Sequence, residues 1–70
     1  MSDAESILMR FFQENPDTRY SRKEVSRRAV KRSVFEEEPR WAEDALNALV
    51  AREFIETDES GYYSLKNKNT

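Results

Sequence analysis

Apolar residues recur along the chain at two different spacings. Ile7, Leu8, Phe11 and Phe12 fall at i, i+1, i+4 and i+5 and predict one buried face of a helix over 3–15. Ser2 or Asp3 can cap its start, and Pro16 ends it, because the residue before a proline is pushed out of helical geometry. Thr18 to Ser21 are short and suit an extended strand. Ser21 then opens a capping box with Glu24, so a second helix is expected from Arg22 to about Arg32. Val25 and Ala29 face inward on it, Val30 lies at the border, and Arg22, Lys23, Arg27 and Lys31 face out. Residues 33–38 are read as a connection whose Val34 and Phe35 turn into the core. Pro39 suits the first position of a third helix, since its missing N–H is no loss there. Glu36 to Glu38 would then sit at the positive end of that helix's dipole, a placement worth about 0.3–1 kcal/mol. Ala42, Ala45, Leu46, Leu49 and Val50 extend the helical spacing to about Arg52. Beyond it the period shortens to that of strands. Phe54, Ile55 and Thr57 suit one strand and Tyr62, Tyr63 and Leu65 a second, with Tyr63 and Leu65 on one face. Asp58 to Gly61 form the turn between them, with Gly61 free to take positive φ. The polar residues 67–70 read as a frayed tail, which leaves 1–66 as a single domain.

Composition narrows the chemistry. Seventy residues support one small core and no deep cleft between lobes. There is no cysteine and no histidine, so disulfides, thiolate metal sites and the commonest general base are all missing. Only one glycine is present, too few for a phosphate-cradling loop. Serine without an activating base is a poor nucleophile. Adjacent acids at 36–38 and 43–44 do not form a closed cage for a cation. The expectation is a protein that is not an enzyme and needs no cofactor and no metal. No apolar run is long enough to span a membrane, and the acidic start lacks the apolar stretch of a signal peptide, so a cytoplasmic location is expected.

Charge adds a directional element. Acids exceed bases by 14 to 12, but they are not evenly mixed. Arg19, Arg22, Lys23, Arg27, Arg28, Lys31 and Arg32 cluster against Glu24 alone, whereas Arg40 and Arg52 are the only cations in the acid-rich stretch 36–59. The expectation is two surfaces of opposite sign, a cationic second helix and an anionic third helix and wing.

The order helix, short strand, helix, helix, hairpin resembles the winged helix-turn-helix family of compact bacterial regulators. "YSRKEVSRRA" looks like its strand and capped second helix, and "ALNALVAREFIETDESGYYSL" like its third helix, wing turn and returning strand. The resemblance implies an α+β fold of three helices, a short strand between the first two, and a C-terminal β-hairpin wing. It implies binding to double-stranded DNA and a transcription-regulator role, with the third helix in the major groove. On this chain the contacts would be Arg22, Lys23, Arg27, Arg40, Asn47 and Lys66: Arg40 for a guanine edge, Asn47 for an adenine edge. Three features depart from the family. Glu53 stands where the family has glycine, so a different turn is expected there. The connection at 32–39 is longer than the tight turn of the motif. Glu43, Asp44, Asp58 and Glu59 place carboxylates where phosphates would lie, against the main source of affinity. The alternative expectation is therefore a protein-interaction module of the same fold, or one that self-associates. Its anchors would be Trp41 and Tyr62, with Glu43 and Asp44 at the rim. Trp41 is otherwise read as a core residue packed on Ala45 and the hairpin, Tyr63 as core, and the four phenylalanines as core.

Overall fold

The computed structural model describes residues 3–66. Ser2, one of the two candidate helix caps, and the tail at 67–70 lie outside the described residues. The elements run α1 (Asp3–Glu14), β1 (Tyr20–Ser21), α2 (Arg22–Arg28), α3 (Arg32–Glu37), α4 (Glu43–Ala51), β2 (Ile55–Thr57) and β3 (Tyr62–Leu65). The class is α+β. Among the described residues there are four helices, where the sequence predicts three, and one antiparallel sheet of order β1-β3-β2.

The sheet is set by β3. Tyr20 pairs with Tyr63 on one side, and Ile55, Glu56 and Thr57 pair with Leu65, Ser64 and Tyr63 on the other. Alternation along β3 sends Tyr63 into the core and leaves Tyr62 exposed. The core joins Leu8 and Phe12 of α1, Tyr20, Val25 of α2, Ala42, Ala45, Leu46 and Leu49 at α4, Ile55 and Tyr63. Each fully buried large side chain among these contributes about 1.5–3 kcal/mol. Glu5 on α1 bonds Arg52 just past α4 at 3.1 Å, tying the two helices that pack most closely together.

Several expectations are corrected by the geometry. The inward face of α1 is narrower than predicted, because Ile7 is exposed. Phe12 is fully buried, Phe11 and Phe54 lie half-buried against the core, and Phe35 stays outside it, so the interior is not built on four phenylalanines.

The second helix stops at Arg28, four residues early. The Trp41 indole donates to the Ser26 carbonyl at 3.0 Å, at the point where a further turn would need that acceptor. Residues 32–37 then form α3, a helix with no buried residue, instead of a connection. Val34 is 42% exposed rather than tucked inside.

The helix predicted from Pro39 begins at Glu43. Pro39 to Ala42 lie in turns, closed by Trp41 N–H to Glu38 O at 3.0 Å and Glu43 N–H to Arg40 O at 3.2 Å. Glu36 and Glu37 consequently end α3, at the negative pole of its dipole, and do not start α4. Glu43 and Asp44 take that starting role.

At the other end of α4 the turn does not differ from the glycine type. Glu53 adopts φ 64°. Its N–H bonds Val50 O, and the Phe54 N–H bonds Leu49 O, each at 3.0 Å. This is the paired arrangement that ends many helices at a left-handed glycine.

Candidate functional site

The site with the most converging chemistry lies where α2, α4 and β3 meet. Ser21 fixes its first element. With φ −71° and ψ 162°, it turns the chain from β1 into α2. Its Oγ accepts from the Glu24 N–H at 3.2 Å and its own N–H donates to Glu24 Oε1 at 3.2 Å. The box sets the direction in which Arg22 and Lys23 leave the helix. Arg22 Nη2 donates to the Tyr63 hydroxyl at 3.0 Å. That bond, with the nearby Glu43 carboxylate assisting, holds the Arg22 guanidinium above its ordinary pKa.

Arg40 approaches from the turn before α4. Its Nε and Nη2 donate to Glu43 Oε2 and Oε1, both at 3.1 Å. This two-point fork lowers the Glu43 carboxyl and raises Arg40. The Arg40 side chain remains 81% exposed, yet the donor edge that would read a guanine is held by Glu43. Asp44 and Asn47 lie exposed further along the same helix. Ala42 at the start of α4 offers no capping side chain, so Glu43 and Asp44 meet the unpaired amides of the first turn electrostatically.

The acid at the β2–β3 turn is equally committed. Asp58 Oδ1 accepts from Ser60 N–H at 2.9 Å and Tyr62 N–H at 3.0 Å, and Oδ2 accepts from Arg19 Nη1 at 3.2 Å. The Tyr62 amide is the main reason its carboxyl is held below the usual range. Two of the four carboxylates that weigh against DNA thus have local duties, and Asp44 and Glu59 remain exposed.

The other nominated residues divide. Lys23 and Arg27 line a groove of about 790 Å³ between α2 and α3, with Arg28, Arg32, Glu24, Glu36 and Phe35. Lys66 is apart from Arg40: its Nζ bonds Glu53 at 2.8 Å, past the far end of α4. Trp41 is half-buried against the core with its indole N–H taken by Ser26, and Tyr62 is 42% exposed. The predicted separation of charge does not hold, since Arg32 bonds Glu36 at 2.9 Å and Arg22 lies within the field of Glu43.

Sequence reasoning named Arg19 only as one of the cationic cluster and Tyr63 only as core, and gave neither its partner. Their roles depend on partners 39 and 41 positions away, for which no local pattern exists. Arg28 was read as part of the cationic second helix, but its guanidinium carbon 5.9 Å from the Tyr20 ring centre was not foreseen.

Among the described residues no three acidic side chains gather where they could hold a metal ion, and no helix is long and apolar enough to cross a membrane. Comparison with protein families, with curated proteins and with solved structures returns no match.

Proposed function

We propose that the chain is a cytoplasmic winged-helix module that acts by binding, with double-stranded DNA as its partner in a transcription-regulator role. The strand between α1 and α2, the sheet order β1-β3-β2, and α4 leading into the β2–β3 ribbon support the winged-helix assignment. α3 is then an insertion between the two helices of the motif. The observation that carries the DNA reading is that Arg22, held on the Tyr63 hydroxyl, and Arg40, forked on Glu43, both lie within the field of the Glu43 carboxylate. Arg22, Lys23 and Arg27 neutralise phosphates from α2. Arg40 faces a base edge from the turn before α4 and Asn47 from α4 itself, and Arg40 does so by exchanging Glu43 for the base.

A second reading has its own support. The occupied edge of Arg40 and the exposed Tyr62 favour a protein partner for the same fold.

One titration separates them. Isotope-labelled protein with random duplex should show amide shifts in α2 and at the start of α4, weaker at moderate than at low salt. Glu43→Gln should tighten binding severalfold, because it removes both a repulsive charge and the competitor for Arg40. An unchanged spectrum at high duplex concentration, in both the parent and Glu43→Gln, would move the assignment to the protein partner.

A further inference from the structure

The feature that the DNA reading leaves unexplained is the groove of about 790 Å³ between α2 and α3. Each of its walls is a single helix face. On α2 these are Lys23, Glu24, Arg27 and Arg28, at i, i+1, i+4 and i+5. On α3 they are Arg32, Phe35 and Glu36, at i, i+3 and i+4. Four cations face two acids, a surplus of two positive charges around one aromatic ring.

The acids are already engaged. Glu24 Oε1 accepts from the Ser21 N–H at 3.2 Å, and Glu36 Oε2 accepts from Arg32 Nε at 2.9 Å. The remaining cations are not. Among the described residues Arg19, Arg32, Arg40, Arg52 and Lys66 form ion pairs, and Lys23, Arg27 and Arg28 form none. Lys23 and Arg27 stand four residues apart on one helix, a spacing at which like charges repel. Arg28 is set over the Tyr20 ring at 5.9 Å. Phe35 is half-buried outside the core, so the packing of the interior gives no reason for an aromatic ring there. A ligand that alternates anionic groups with flat apolar ones meets both features at once.

We propose that the α2–α3 groove is a binding site for single-stranded nucleic acid. Lys23, Arg27 and Arg28 neutralise phosphates, and a base stacks on Phe35. The walls are two short helices, so an intact duplex can only cross the mouth of the groove, whereas a single strand can lie along it. Stacking on one ring is tolerant of sequence, because every base has a flat face, so the site selects strandedness and not a particular base. Arg22 and Arg40 do not line the groove. Lys23 and Arg27 serve the duplex reading as well, but Arg28 and Phe35 belong to the groove alone. The single-strand site therefore does not rest on the duplex reading.

Fluorescence anisotropy of the full chain with a labelled oligothymidylate, and with an abasic strand of the same length, tests this at low and moderate salt. The oligothymidylate should bind, more weakly as salt rises, and should shift the amides of 23–28 and 32–36. The abasic strand keeps the phosphates and loses the stacking, so it should bind roughly fivefold or more weakly. Phe35→Ala should impose the same loss on the oligothymidylate, leave the abasic strand unaffected and leave duplex affinity unchanged. Phe35→Tyr should keep the parent affinity. Arg28→Gln should weaken both strands alike and reduce the salt slope by about 0.7. An oligothymidylate that fails to bind at millimolar protein would overturn the proposal. So would equal affinity for the abasic strand, or indifference to Phe35→Ala. Polyglutamate that displaces the oligothymidylate as well as unlabelled oligothymidylate does would assign the groove to an acidic protein instead. Single-strand binding with no duplex binding would uphold the groove and remove only the duplex reading.

Discussion

Glu53 occupies a left-handed backbone at φ 64°, where its β-carbon crowds the carbonyl that follows and glycine would not. The helix-ending bonds around it are complete, so the strain is tolerated and not avoided. Glu53→Gly should therefore stabilise the fold by about 0.5–1 kcal/mol, and the loss of the exposed Lys66 ion pair subtracts only tenths. A rise of several degrees in the thermal midpoint is the expected reading, and a fall would show that Glu53 holds the chain end through its side chain. Asp58 gives a prediction with a sign. Its carboxyl is depressed in the folded β2–β3 hairpin, chiefly by the Tyr62 amide. Its contribution is therefore complete above the ordinary aspartate range near about 4 and is lost as pH falls through the lower folded value. The Ser60 and Tyr62 amide signals should shift on that acid limb. Asp58→Asn keeps an acceptor oxygen and should flatten the response; Ser60 and Tyr62 amides that ignore acid in the parent protein would refute the assignment.

At the level of elements, the contrast between α2 and α4 is a contrast in how helices start. α2 begins on a reciprocal capping box, and α4 on an uncapped alanine with acids behind it. Ser21→Ala removes one of the two box bonds and should cost about 1 kcal/mol, or about 4–8 °C in a domain of this size. A change below one degree would mean that β1 pairing alone orients α2. The capping box was legible in the sequence because its whole signal lies in four consecutive residues. The hairpin was legible for the same reason, its alternation and its glycine being local. The end of α2 was not, since it depends on an indole arriving from 15 positions along the chain. Pro39 pointed to a helix start four residues early, because its preference for a first turn is equally satisfied in the turns that precede α4.

At the scale of the molecule, the core among the described residues has ten members, and one ring lies fully inside it. Phe12→Ala should cost about 3–5 kcal/mol, comparable to the entire stability of a domain this size, and leave the chain largely unfolded at 25 °C. Phe35→Ala should cost less than about 1 kcal/mol in the monomer, because that ring is not part of the core. Circular dichroism melts of the two variants give the comparison, and equal losses would contradict the arrangement of the interior. Apolar spacing alone could not tell these rings apart. Likewise, the candidate site was legible residue by residue but not as a surface: Arg22 and Arg40 were foreseen, but the Glu43 fork and the distant position of Lys66 were not. One topological fact reaches beyond stability. The middle strand of the sheet, β3, is the last of the three to leave the ribosome. Until Leu65 has emerged from the exit tunnel, β1 and β2 have no mate. The sheet therefore cannot form strand by strand as the chain is made; it assembles in one late step.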